Sequence, residues 1–119
     1  MITRYIGEPR NISVEFTGDP LVPYGYDYSQ INEVSMNLKR LSSSDEDDDY
    51  LEKLQSNGEV SVDQTAHRFT MNITSGDYSN LSVGQYELIL AVQVPGETQY
   101  IELEVATPEV CIVQDKNRK

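Results

Sequence analysis

One histidine and one cysteine are the only ordinary candidates for nucleophilic or soft-metal chemistry in this chain. A cysteine nucleophile needs a positioned base, and nothing in the spacing of His67 and Cys111 brings the two together. His67 stands between Ala66 and Arg68 in a polar stretch and reads as a surface residue. Cys111, between Val110 and Ile112, reads as a small apolar side chain buried in a strand. A lone histidine also leaves no His-rich zinc site to build. The remaining candidates are carboxylates. Residues 45–49 are five consecutive acids, and Asp45, Asp47 and Asp49 have the 1-3-5 spacing of a calcium loop. Tyr50 stands where that loop needs glycine, however, and Ser56 where it needs its twelfth-position glutamate, so the motif fails. Loose cation binding by this block stays open beside the commoner use of such acids, a charged loop tip that keeps a sheet edge from pairing.

Other local signals carry less. Asn11, Asn72 and Asn80 each begin an N-x-S/T sequence, which reads as chance without an export signal. Ser42, Ser43 and Ser44 beside the acids would suit an acid-directed kinase, with no further support. The chain has no glycine-rich phosphate loop, no nucleophile elbow and no carboxylate pair at interpretable spacing. The expectation is a protein with no catalytic residues, no cofactor and no metal centre.

Length and charge narrow the class. The 119 residues suffice for one domain with a single core. Nine basic against twenty acidic side chains give a net charge of −11. That argues against nucleic acid, which needs a concentrated positive patch, and against anionic membrane surfaces. The longest apolar run, residues 88–92, is far short of the roughly 20 residues that span a bilayer. No apolar signal segment is visible at the N-terminus, and one cysteine permits no internal disulfide. The expected site of synthesis is a cytoplasm.

Most of the chain reads as short strands. Residues 11–17 alternate with Ile12, Val14 and Phe16 on one face, and residues 34–40 repeat the pattern with Val34, Met36 and Leu38. Residues 50–55, 59–63 and 68–73 follow, with Asn57-Gly58 as a tight-turn signal. The most apolar strand is 86–94, which a Pro95-Gly96 break joins to an alternating strand at 99–105; these two should form a hairpin. Pro108 precedes a last strand at 109–113, and residues 114–119 form a charged tail. Residues 21–29, just after Pro20, hold Pro23, Gly25 and three tyrosines and read as loop. Residues 1–10 read equally as an arm or an edge strand. No helical period appears. Seven or eight short strands in residues 11–113 predict an all-β, antiparallel β-sandwich.

Leu81-Ser82-Val83-Gly84-Gln85-Tyr86 has the L-x-x-G-x-Y form of a tyrosine corner. In Greek-key sandwiches this places a tyrosine at the start of a central strand, its hydroxyl bonded to upstream backbone. Gly84 is expected to supply a tight turn. The order of segments from Val34 onward carries a resemblance: Leu38-Lys39-Arg40, the acidic loop, Leu51-Glu52-Lys53, the Gly58 turn, strands 60–63 and 69–73, then the corner. The sequence resembles the small immunoglobulin-like β-sandwich of tailed-phage and prophage structural proteins, including baseplate and tail-fibre components. Val83 departs from the pattern, in which proline commonly precedes the glycine. The resemblance implies a non-enzymatic assembly protein, a virion component made in the bacterial cytoplasm, whose partners are other particle proteins or copies of itself. The alternative from a different class is a carbohydrate-type binding module using Tyr24, Tyr26, Tyr28 and Tyr78 as stacking rings.

Overall fold

Alternation of apolar and polar side chains sets the architecture. The computed structural model describes residues 1–41, 50–95, 100–106 and 108–114. The acidic block and the serines before it, positions 96–99, and the tail beyond Gln114 therefore lie outside the described residues. The centre is the pairing of β3 (Glu33–Arg40) with β7 (Gly84–Gln93), antiparallel and registered from Glu33↔Gln93 to Arg40↔Tyr86. This register matches Val34 with Val92, Met36 with Leu90 and Leu38 with Leu88, so both strands present one apolar face. All six side chains are buried there.

β4 (Tyr50–Leu54) pairs with the outer side of β3. β9 (Glu109–Val113) pairs with β7 near its start, and β8 (Ile101–Leu103) pairs with β7 near its end. A second sheet, in the order β2 (Ile12–Glu15), β6 (Arg68–Met71), β5 (Val60–Asp63), supplies Ile12, Val14, Phe69, Met71 and Val60 to the same core. Phe16 extends that face and meets Phe69 edge-on at 5.9 Å between ring centroids. The result is a mostly-β molecule of two sheets over one core, as the alternation predicts.

Two features differ from the sequence reading. β1 (Ile2–Tyr5) takes the edge-strand choice left open for residues 1–10, but it runs parallel to β9, from Ile2↔Val110 to Tyr5↔Val113. The sheet is therefore not wholly antiparallel. β1 and β9 have almost the entire chain between them, so no hairpin constrains their direction. The second difference is the strand expected over 99–105, of which only β8 pairs. The chain leaves the β7 ladder after Leu103, opposite Leu90, and rejoins at Glu109, opposite Glu87. Pro108 cannot donate to a ladder, but its carbonyl accepts the Leu88 N–H at 2.8 Å and closes the bulge.

The connections follow local chemistry. Residues 21–29 are irregular as expected, with short 3-10 turns at Val22–Tyr24 and Tyr28–Gln30, the latter capped by Asp27. Leu21 anchors this loop in the core. The polar segment before the corner is a 3-10 helix, Ser75–Asn80, whose entry is fixed by Asp77 accepting the Thr74 N–H at 2.7 Å. Among the described residues no helix is long and apolar enough to cross a membrane.

Candidate functional site

The corner is built as its residues require. Tyr86, fully buried at the start of β7, donates its hydroxyl to the Ser82 carbonyl at 2.8 Å and accepts the Ser82 N–H at 3.1 Å. Leu81 is buried beside it, and Val83 is exposed. Gly84 does a different task from the tight turn expected of it. It pairs with Ile112 inside the ladder with φ of 158°, close to extended. Its missing side chain admits Arg40: a Cβ would stand 2.8 Å from the guanidinium Nη2. Arg40 then donates to Ser82 Oγ at 2.7 Å and to the Val83 carbonyl at 3.3 Å. It also lies 5.9 Å from the Tyr86 ring centroid. Arg40 is thus a clamp on the corner that the motif does not announce.

A buried cation sits nearby. Lys53, at 7% side-chain exposure, places Nζ 2.9 Å from both carboxylate oxygens of Asp77 and 3.6 Å from Glu59 Oε2. Burial alone would raise the Asp77 pKa. The Thr74 N–H and the Lys53 ammonium outweigh it and hold the carboxyl below its ordinary value. The group ties β4 to the 3-10 helix that precedes the corner.

The histidine and the cysteine are placed differently from expectation. His67 is half-buried, not a free surface residue: its Nδ1 shares a 2.9 Å hydrogen bond with Tyr28 Oη, and the rings stack 5.8 Å apart. It closes the β5–β6 hairpin with φ of 54°, a left-handed conformation that no glycine there signals. Cys111 is half-buried on the outward side of β9, since Val110 and Ile112 take the inward positions. It pairs with Gln85 and Thr3 in the ladder. His67 and Cys111 lie on different sheets and form no pair.

The four candidate stacking tyrosines do not share a face. Tyr78 is buried with its hydroxyl donated to the Glu8 carbonyl at 2.9 Å. Burial, followed by Glu8, raises its pKa. Tyr26 packs against the core and Tyr28 is held by His67. Burial and then Asp19 raise the Tyr28 pKa. Tyr24 alone presents an exposed ring, at 47%. Its hydroxyl reaches the Glu102 carbonyl at 3.5 Å, the limit of a hydrogen bond.

Tyr24 stands at one end of a seam along the side of the sandwich. There β2 faces β8 and the bulge that follows it. Three depressions follow one another along this side. The first, about 260 Å³, is floored by Phe16, Pro20, Pro23 and Leu103. The second, about 180 Å³, lies under the bulge between Leu88, Ile89 and Pro108. The third, about 100 Å³, is bounded by Val14, Val105 and Ile2. Comparison with protein-family models, with curated proteins and with solved structures finds no match.

Proposed function

We propose that this chain is a non-enzymatic assembly protein that acts through protein–protein contacts. In this reading it is an immunoglobulin-like sandwich of the kind used in tailed-phage and prophage particles. The observation that carries the reading is the corner: a buried Tyr86 opens the central strand and closes both its hydroxyl bonds on Ser82. The strand order β1-β9-β7-β3-β4 over β2-β6-β5, with sequential strands divided between two sheets, supports the same architecture. Its partners are other particle proteins or further copies of the chain. A carbohydrate-binding alternative retains only Tyr24 as an exposed ring of the four it needs, so no observation favours it.

The test is quantitative mass spectrometry of particles purified after prophage induction in the source organism, paired with analytical ultracentrifugation of the purified chain. The reading expects stoichiometric incorporation, or reversible self-association of the isolated protein. A strictly monomeric chain absent from intact particles would refute it.

A further inference from the structure

We infer that the side seam between β2 and β8 is a docking site for an extended, basic segment of a partner protein, added as a strand. This rests on the assembly reading above and specifies the surface through which it works.

Three independent features of the seam agree. The first is backbone direction. On β7 the Leu88 N–H points to the β9 side, while the Gln85 and Gln93 carbonyls serve the opposite side, toward β3. Even-numbered β7 residues therefore face β8, and their partners Ile101 and Leu103 turn their polar groups inward. Glu102, between them, turns its N–H and carbonyl outward to the edge. On the other rim Phe16 donates to His67 on β6, so Ser13 and Glu15 likewise turn outward. Neither β8 nor β2 has a second strand neighbour among the described residues. At the lower end β1 closes the seam, with Arg4 donating to the Asn11 carbonyl at 2.8 Å. The closure stops at Ile2, which borders the third depression.

The second feature is the floor. Phe16, Leu103, Val14 and Val105 are apolar and belong to or pack on the core. Val14 and Phe16 on one rim, and Leu103 and Val105 on the other, stand two residues apart, the repeat of alternate side chains on a strand. Among the described residues the Glu102 carbonyl accepts only the Tyr24 hydroxyl, at the 3.5 Å limit of a hydrogen bond, and an incoming N–H would replace that contact.

The third feature selects the occupant. Among the described residues no lysine, arginine or histidine lines any of the three depressions, whereas Glu15, Glu87, Glu102 and Glu104 do. Glu15 is engaged by Arg68 at 2.9 Å, but Glu102 and Glu104 meet no basic side chain among the described residues. A partner strand with apolar residues toward the floor and lysine or arginine toward the β8 rim satisfies both edge and charge. An acidic strand is repelled.

The probe is a fluorescein-labelled synthetic peptide in which valine alternates with lysine and threonine, titrated with the intact chain and read by anisotropy. Two control peptides carry glutamate for lysine, or N-methyl groups on the edge-facing amides. The expected result is saturable binding of the basic peptide only, weakened about tenfold or more by Glu102→Lys/Glu104→Lys. These two side chains are exposed, so an unchanged melting curve will show that the variant folds. No saturable binding, equal binding of the N-methylated peptide, or indifference to the substitutions overturns the proposal. Self-association lost in the variant without peptide binding makes the occupant a second copy and overturns it too. Peptide binding as expected, by a chain that neither self-associates nor enters particles, upholds the seam and refutes the assembly reading. Particle association untouched by the substitutions does the reverse.

Discussion

Lys53 offers a sharp test of how β4 is tied to the 3-10 helix that precedes the corner. Its ammonium meets both Asp77 oxygens at 2.9 Å while almost wholly buried. At an effective dielectric of about 20, two unit charges that close attract by roughly 5–6 kcal/mol. Desolvation costs several kcal/mol per ion, so the intact pair is close to neutral against an apolar replacement. Removing one partner is different, because it leaves the other charge buried. Asp77→Ala strands the ammonium with only Glu59, 3.6 Å away, and should cost about 3–5 kcal/mol. About 1 kcal/mol of that is the lost cap on the Thr74 N–H, which does not involve Lys53. Lys53→Met should cost about 1–3 kcal/mol, since Asp77 keeps its Thr74 hydrogen bond. The double variant loses only the cap, so it should be more stable than the sum of the singles by about 3 kcal/mol or more. Urea unfolding at constant m-value reads this directly, against a total stability of order 5–15 kcal/mol for such a domain. Additive single effects would show that Lys53 and Asp77 do not depend on one another, and the reasoning would fall.

Tyr86→Phe leaves two Ser82 backbone groups without their partner and should cost about 1–3 kcal/mol by chemical denaturation; an unchanged midpoint would remove the corner from the account. Leu90→Ala, at a fully buried position between β3 and β8, should cost about 2–5 kcal/mol in the same assay, and a surface-like loss below about 0.5 kcal/mol would contradict the core assignment. Because the folded Asp77 pKa is depressed, its contribution is complete above the ordinary aspartate value of about 3.9 and drains as pH falls through the lower folded value. Melting temperature against pH should therefore fall less steeply on the acid limb in Asp77→Asn than in the parent, and parallel limbs would refute the linkage.

The strands with two-residue periodicity were legible in the sequence because each buries one face: Ile12/Val14, Val34/Met36/Leu38 and Leu88/Leu90/Val92 all point inward as their alternation predicts. β1 was legible only as one of two choices, arm or edge strand, since four residues with Ile2 as their clearest apolar signal carry little pattern and their partner lies at the far end of the chain. The bulge after β8 has only Pro108 as a signal. Two placements had a signal that residue type obscured. Lys53 shares parity with Leu51 in β4 and so faces inward despite its charge. Cys111 falls between two inward positions and so faces out, despite the burial common for cysteine. His67 had none, because its contact with Tyr28 depends on how the loop before β3 folds back over the β5–β6 hairpin. The side seam is likewise a product of topology: edges are decided by which strands fail to meet.

The parallel alignment of β1 with β9 has a mechanical consequence. Tension applied between Ile2 and Val113 pulls the two strands along their lengths in opposite senses. The registered pairs from Ile2↔Val110 to Tyr5↔Val113, with the Ile6 N–H to Val113 carbonyl bond beyond them, are loaded together in shear. An antiparallel hairpin pulled from its open end would instead unzip, its pairs breaking in succession. A subunit held in an assembly by its two ends would therefore resist extension at this ladder first, and the buried central strands would carry load only after it had given way.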